Sequence, residues 1–163
     1  MKMELFPLIQ RHKMIDKTEL RIGNWIQRKG ARLMPIYKYQ VIRLEETTLR
    51  LSHYPFEVDN GLAVGDLEYE DVEGIPLTKE ILLKCGFENL TGNHFPDNFY
   101  GLRISGEMQL VIHADNKFIA ELYFEKFEEF KIGATKITKS PDHLHQLQNL
   151  VFALTNKELI VKT

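Results

Sequence analysis

The most regular hydrophobic pattern in the chain lies near its C-terminal end. Between residues 140 and 156, apolar side chains recur at helical spacing and fall on one arc, at about 100° per residue: Leu144, Leu147, Leu150, Val151 and Leu154. Ser140 suits the N-cap, Pro141 suits the first helical position, and Asn156 suits the end of the helix. The pattern predicts an amphipathic helix whose leucines pack on a core, followed by a short closing strand at residues 158–162.

The opposite arc of this helix carries polar and aromatic side chains. His145, Gln148, Asn149 and Phe152 stand at i, i+3, i+4 and i+7, so they share one face. An aromatic ring beside two amides and an imidazole is suited to stacking on and hydrogen-bonding a planar ligand such as a nucleobase. The alternative is that neighbouring parts of the chain cover this face and satisfy its polar groups. We take these four residues as candidate ligand contacts.

Short alternating and β-branched runs fill the first half of the chain. Residues 20–29, 37–44, 47–53 and 67–75 each predict a strand, and glycine, proline and asparagine separate them. Several short strands in close succession are typical of a small barrel. We therefore predict an SH3-like β-barrel over residues 19–76, preceded by an N-terminal extension at residues 1–18.

The second half predicts a short helix and then a β-meander. Thr78 suits the N-cap of the helix, and Gly86 suits its left-handed C-terminal cap. Three strands follow at residues 99–104, 107–113 and 117–125, separated by hairpin-type turns. The third strand alternates apolar and acidic side chains, which indicates a sheet with one buried face. We expect the C-terminal helix to cover that face, which makes residues 77–163 one unit of an α+β protein.

Composition and charge narrow the class of protein. The chain has 163 residues, of which 44% are hydrophobic and 27% are charged, and its single cysteine, Cys85, excludes an internal disulfide. No apolar run is long enough for a membrane span or a signal peptide, which predicts a cytoplasmic protein. Residues 1–50 hold eleven Lys or Arg against five Asp or Glu, although the net charge is −2. Arg43 and Arg50 belong to this basic part and are candidate contacts for an anionic ligand.

The chain shows no motif typical of a cofactor site or of a catalytic centre. His143 and His145 form one close pair and His113 and Asp115 another, but neither pair has the further ligands of a zinc site. Phosphate-binding loops and nucleophile elbows are absent from the sequence. We predict no bound metal and no cofactor. A hydrolase that uses His113 or His145 is the least supported reading.

Three segments resemble an uncharacterised family of short proteins found in bacterial genomes and their phages or mobile elements. They read ELRIGNWI at residues 19–26, IPLTKEILLKCGF at residues 75–87 and LHQLQNLVFALTNKEL at residues 144–159. The likeness spans most of the chain in the expected order, and HQLQNL is its most distinctive part. It implies an intracellular accessory protein and no particular reaction.

Two functions follow from these observations. The first is a non-enzymatic protein that sequesters a small anionic or nucleotide-like ligand through the polar face of the C-terminal helix. The second is a protein-interaction module that engages a host or phage protein through the SH3-like half, using Trp25, Tyr37, Tyr39 and Tyr54. The basic residues are too dispersed to predict nucleic-acid binding. The uneven charge and the frequency of closed dimers lead us to expect a homo-oligomer.

Overall fold

The computed structural model describes residues 15–29, 39–53, 63–92, 95–115, 117–125, 132–137 and 139–162. Within these ranges the protein consists of two antiparallel five-stranded sheets and two helices, which confirms the α+β class. The predicted extension up to residue 14 lies outside the described residues, as do Tyr37 and Tyr54. No helix in the described ranges has the length and apolar character needed to cross a bilayer.

The first sheet contains the strands predicted within residues 20–29, 37–44 and 47–53, but the single strand predicted at residues 67–75 is instead the end of one strand, a 3₁₀ turn at Tyr69–Asp71 and a second short strand. Its strands are β1 (Trp25–Arg28), β2 (Tyr39–Leu44), β3 (Thr48–His53), β4 (Ala63–Glu68) and β5 (Val72–Gly74), in the order β4-β3-β2-β1-β5. Their inward side chains form one core cluster, in which Ile26, Val41, Leu49, Leu51 and Val72 are fully buried. The structure does not show a closed SH3-like barrel, since β4 and β5 form the two edges of this sheet.

The strand that the sequence predicts from residue 20 begins later, at Trp25. Residues Lys17–Glu19 form a 3₁₀ turn, and Gly23 has a φ of 93°, which only glycine adopts readily. The Asn24 side chain accepts a hydrogen bond from the Arg21 N–H at 2.8 Å and stabilises this turn. The Gly23 N–H donates to the Val41 carbonyl at 2.8 Å, and the Asn24 carbonyl accepts from the Val41 N–H at 2.9 Å, so the turn stays bonded to the second strand while the Asn24 side chain reaches the C-terminal helix.

The second sheet confirms the predicted meander and extends it by one strand at each edge. Its strands are β6 (Glu88–Asn89), β7 (Phe99–Arg103), β8 (Met108–Ala114), β9 (Phe118–Glu125) and β10 (Ile132–Lys136), in the order β10-β9-β8-β7-β6. Every neighbouring pair is antiparallel. The sequence reading missed β6 because two residues are too few for a periodic signal.

Both predicted helices are present. Helix α1 (Lys79–Lys84) begins at Thr78, whose hydroxyl accepts a hydrogen bond from the Ile81 N–H at 3.2 Å, as predicted. Helix α2 (Leu144–Thr155) ends at Asn156, which adopts the left-handed conformation with a φ of 54°. The predicted closing strand at residues 158–162 is not a strand in the structure.

The N-cap of α2 is His143 and not Ser140, which corrects the prediction. Residues just before the helix are held instead by the chain that leaves β5. The Leu77 N–H donates to the Asp142 carbonyl at 3.0 Å, and the Leu144 N–H donates to the Ile75 carbonyl at 2.9 Å. This pairing holds the residues just before Leu144 outside the helix, so the helix begins three residues later than its sequence suggests.

The leucine stripe of α2 covers the second sheet, as predicted. Leu144 and Leu147 are fully buried and belong to the same core cluster as Leu110, Ile112 and Ala120 of β8 and β9. Complete burial of a leucine contributes about 1.5–3 kcal/mol to stability. Trp25 of β1 also belongs to this cluster, so the first sheet and α2 share a core.

Gly74, the last residue of β5, packs against the imidazole rings of His143 and His145 at the start of α2. A Cβ at this position would lie 2.6 Å from Cδ2 of His143 and 2.9 Å from Cε1 of His145. We therefore expect Gly74→Ala to lower the free energy of unfolding by about 2 kcal/mol, because both rings must move in a packed interior. Gly65→Ala is the matched control, since nothing lies within 4 Å of its Cβ position. Equal urea midpoints for the two variants would contradict this account.

Candidate functional site: the polar face of the C-terminal helix

The predicted ligand face of α2 is turned toward the segment that precedes β1. Gln148 shows this most directly, with 1% of its surface exposed. Its Oε1 accepts a hydrogen bond from the Trp25 N–H at 2.8 Å, and its Nε2 donates to the Gly23 carbonyl at 3.4 Å. The Gln148 amide therefore ties the helix to the start of the first sheet.

Asn149 makes the largest set of bonds on this face. Its Oδ1 accepts from Asn24 Nδ2 at 2.9 Å and from Arg21 Nε at 3.0 Å. Its Nδ2 donates to the Glu19 carbonyl at 2.6 Å. One side chain thus fixes three residues of the segment before β1, and Asn24 among them is completely buried.

Phe152 packs against a cation, as an aromatic residue in a ligand site would, but the cation belongs to the chain itself. The guanidinium carbon of Arg21 lies 4.1 Å from the centre of the Phe152 ring. The same guanidinium forms an ion pair with Glu158, with 3.1 Å between Nη2 and Oε2. This two-fold contact holds the segment after α2 beside the turn at Gly23.

Arg43 and Arg50, the two basic residues predicted to neutralise a ligand, face each other across β2 and β3. Arg43 forms an ion pair with Glu45, and Arg50 binds both carboxylate oxygens of Asp66 at 2.9 and 3.0 Å. The Arg50 guanidinium lowers the pKa of the Asp66 carboxyl. The basic residue that reaches the candidate face is Arg21, which the sequence reading had not selected.

His145 is the one member of the predicted face whose polar atoms are not matched. Its exposed fraction is 1%, and neither ring nitrogen has a hydrogen-bond partner among the described residues. The Glu19 Oε2 atom lies 3.8 Å from its Nε2. Burial is the main cause that lowers the pKa of His145 to about 4, with a smaller effect from His143, whose ring centre is 5.7 Å away. His145 is therefore neutral at pH 7.

Glu19 lies beside this imidazole in a site that strongly favours a negative charge. Lys139 Nζ is 2.7 Å from Oε1, and Gln146 Nε2 donates to Oε2 at 3.0 Å. These two bonds, that of Lys139 first, lower the pKa of Glu19 to about 2. A cavity of 160 Å³ adjoins the carboxylate, and it is lined by Glu19, Lys139, Ser140, Pro141, Gln146, Asn149 and Leu150.

A second and larger cavity, which we call the cleft, lies between the Gly23 turn and the segment after α2. Its volume is 390 Å³, and its lining consists of Ile22, Gly23, Trp25, Gln40, Gln148, Glu158, Leu159, Ile160 and Val161. Ile22 and Ile160 are 59% and 74% exposed. Gln148 is the predicted site residue that reaches the cleft.

Neither the histidine pairs nor the aromatic residues proposed as partner contacts form a site in the described ranges. No group of three or more His, Cys, Asp or Glu side chains in the described ranges is placed to hold a metal ion. Trp25 and Tyr39, two of the aromatic residues predicted to contact a partner protein, are buried, with 6% and 7% of their surfaces exposed. The interaction-module hypothesis therefore depends on residues outside the described ranges.

Sequence reasoning missed Glu19, Arg21, Lys139 and Glu158. A signal for Glu19, Arg21 and Glu158 was present, because residues 19–26 and 144–159 are two of the three segments that carry the family resemblance. Their complementarity became visible only when the fold placed the two segments side by side.

Comparison with known proteins adds no further evidence: no family model matches this chain, and no match was found among curated proteins or solved structures. The resemblance to short bacterial and phage proteins therefore stays a prediction. The same holds for the ligand contacts assigned to His145, Gln148, Asn149, Phe152, Arg43 and Arg50.

Proposed function

We propose that this chain is a non-enzymatic cytoplasmic accessory protein of phage or mobile-element type, and that it sequesters a small nucleotide-like ligand in the cleft. The observation that carries the proposal is the cleft itself. Small-molecule sites typically occupy about 300–1,000 Å³ and are mostly apolar with a few polar groups. The cleft has a volume of 390 Å³, and five of its nine lining residues are apolar or aromatic.

The polar groups of the cleft suggest how a nucleobase would be oriented. Gln40 Nε2 already donates to the Gly23 carbonyl at 3.2 Å, so its Oε1 is the group of this amide that can accept from an exocyclic amine. Glu158 is a second acceptor. The apolar side chains Ile22 and Ile160 would cover the two faces of a flat ring.

Arg21 supplies the positive charge that an anionic ligand needs. Its guanidinium is stacked on Phe152 and pairs with Glu158, one of the residues that line the cleft. A phosphate would compete with the Glu158 carboxylate for the same guanidinium. In this proposal residues 19–76, the SH3-like half, supply one side of the cleft. We also propose that the protein is a homo-oligomer, and light scattering tests this by measuring its molar mass in solution.

The proposal predicts nucleotide-dependent stabilisation that a charge in the cleft abolishes. We expect adenosine or guanosine monophosphates, linear or cyclic, to raise the melting temperature of the wild type, by the equivalent of about 2.7 kcal/mol at a hundredfold excess over Kd. Ile160→Asp should abolish the shift, because it places a carboxylate in the apolar lining. Leu83→Asp is the control, since Leu83 is 49% exposed on α1, outside the cleft. The absence of stabilisation by all of these nucleotides would overturn the proposal.

A further inference from the structure

The carboxylate of Glu19 is held at the start of α2 as a bound anion would be. Lys139 Nζ and Gln146 Nε2 contact its two oxygens at 2.7 and 3.0 Å, and His145 Nε2 lies 3.8 Å away. Gln146 and His145 both belong to the first turn of a twelve-residue helix. The dipole at such a helix end favours a negative charge.

The imidazole of His145 gives independent evidence that this site is built for more than Glu19. The side chain is 1% exposed, and its two nitrogens find no hydrogen-bond partner in the described parts of the chain. A buried polar group without a partner costs about 1–3 kcal/mol, so such groups are rare unless a function retains them. The Nε2 atom points to the Glu19 carboxylate but lies beyond hydrogen-bond distance from it.

The carboxylate of Glu19 does not reach all the donors that converge on this site. It accepts from Lys139 and Gln146, but His145 Nε2 stays 3.8 Å from its nearer oxygen and has no partner among the described residues. The hydroxyl of Ser140 lines the same cavity, and it can donate a hydrogen bond while its oxygen accepts from the Ala120 N–H at 3.2 Å. A phosphate group has enough oxygens for all four donors. Lys139 is 74% exposed, so the adjoining 160 Å³ cavity can be reached from solvent.

We propose that the first turn of α2, with Lys139 and Ser140, is a binding site for a phosphate group, and that Glu19 occupies it as an internal competing anion. The site is separate from the cleft, so the inference does not rest on the proposed function. A phosphate enters only when the Glu19 side chain leaves, because two negative charges within a few ångströms of each other repel. Asp16 adds a further negative charge near Lys139, so the wild type binds phosphate weakly.

The test is phosphate binding by the full-length chain when the internal anion is neutralised. Inorganic phosphate is titrated calorimetrically at constant ionic strength into wild type and Glu19→Gln. We expect at least tenfold tighter binding by Glu19→Gln, because glutamine has nearly the same shape but no charge. Asp66→Asn is the matched control: it also removes a carboxylate that pairs with a cation, Arg50, and its affinity should equal that of the wild type. Equal affinities of wild type and Glu19→Gln would overturn the proposal.

Two further variants identify the donors. Adding Lys139→Met to Glu19→Gln should return the affinity to the wild-type level or below it. Adding His145→Leu instead should weaken phosphate binding severalfold without lowering the urea midpoint, which a purely structural imidazole would not do. Retention of full affinity by both double variants would contradict the site. Equally tight binding of acetate by Glu19→Gln would contradict the choice of phosphate.

One measurement remains decisive even if Glu19→Gln does not fold. Phosphate should raise the urea midpoint of the wild type more than chloride does at the same ionic strength. The difference should be smaller in Lys139→Met, because only the general exclusion of phosphate from the protein surface then acts; the substituted side chain is mostly exposed, so the fold stays intact. A phosphate effect of equal size in the wild type and Lys139→Met would overturn the proposal.

Discussion

Replacing Asn149 with alanine is expected to lower the free energy of unfolding by about 3–5 kcal/mol. The substitution leaves the Glu19 carbonyl, the Asn24 amide and the Arg21 guanidinium without their shared partner. Each buried polar group that loses its partner costs about 1–3 kcal/mol, and Asn24 is completely buried. Arg21 can turn toward water, which keeps the total below the sum of three full penalties. The loss is a large part of the 5–15 kcal/mol that stabilises a typical domain.

Urea denaturation followed by circular dichroism measures this loss. Asn89→Ala is the matched control, because Asn89 is exposed and its Oδ1 accepts a single local bond from the Thr91 N–H at 2.9 Å. We expect the control to cost less than about 1 kcal/mol. A separate, earlier transition in Asn149→Ala would show that the first sheet detaches from α2. A cost as small as that of the control would show that the contacts of Asn149 do not hold the two parts together.

Acidification from pH 6.5 to pH 4 is expected to remove about 3 kcal/mol of stability through His145 alone. The pKa of this imidazole is about 4 in the folded protein against an ordinary value of 6.5, mainly because burial disfavours its charged form. Between these two values the unfolded chain binds a proton that the folded chain does not bind. Stability therefore rises with pH across this window and is fully present above pH 6.5. Glu19, Lys139 and His143 are the charged or titratable groups that face the ring.

His145→Leu isolates this effect. The variant should be at least as stable as the wild type at pH 7, because it removes a buried ring whose nitrogens have no partner in the described structure. Its stability should change little between pH 6.5 and pH 4.5. Below pH 4.5 both proteins should lose stability again, since the pKa of Glu19 is lowered to about 2 and its protonation releases Lys139. An unchanged slope in His145→Leu would exclude this assignment.

The elements of the fold were largely predictable, because a helix or strand with one buried face has apolar residues at regular spacing in the sequence. The leucines of α2 recur at helical spacing and do pack on the meander. Local capping was equally readable: Thr78 begins α1 and Asn156 ends α2. Such signals depend on neighbours within one or two turns, so no knowledge of the rest of the chain is needed.

The predictions that failed are those in which a distant segment competes for the same residues. Ser140 is chemically a good N-cap, but pairing with the chain after β5 holds the residues just before the helix outside it, and His143 takes that role. The strand expected from residue 20 begins at Trp25 because Gly23 has a positive φ and residues 21–24 bond to Gln148 and Asn149 as well as to β2. Three strands of the first half were predicted, but the one expected at residues 67–75 is the end of β4, a 3₁₀ turn and β5, and a pattern of alternation does not say whether a sheet closes.

The candidate site also separates what local sequence patterns predict from what only the fold decides. The sequence correctly grouped His145, Gln148, Asn149 and Phe152 on one face, because helical geometry alone determines that grouping. It left open whether a ligand or the chain itself satisfies the two amides. The structure shows internal partners for both amides and for the ring of Phe152, and it leaves the nitrogens of His145 unmatched within the described ranges.

By itself, then, the sequence determined the helices, most of the strands, the charge distribution and which side chains share a face, since all of these depend on local spacing. Only the tertiary structure decided which cation reaches the polar face, which carboxylate lies at the start of α2, and which polar group stays without a partner. The physical reason is that hydrogen bonds and ion pairs act over a few ångströms. The residues they join in this protein are separated by more than a hundred positions along the chain.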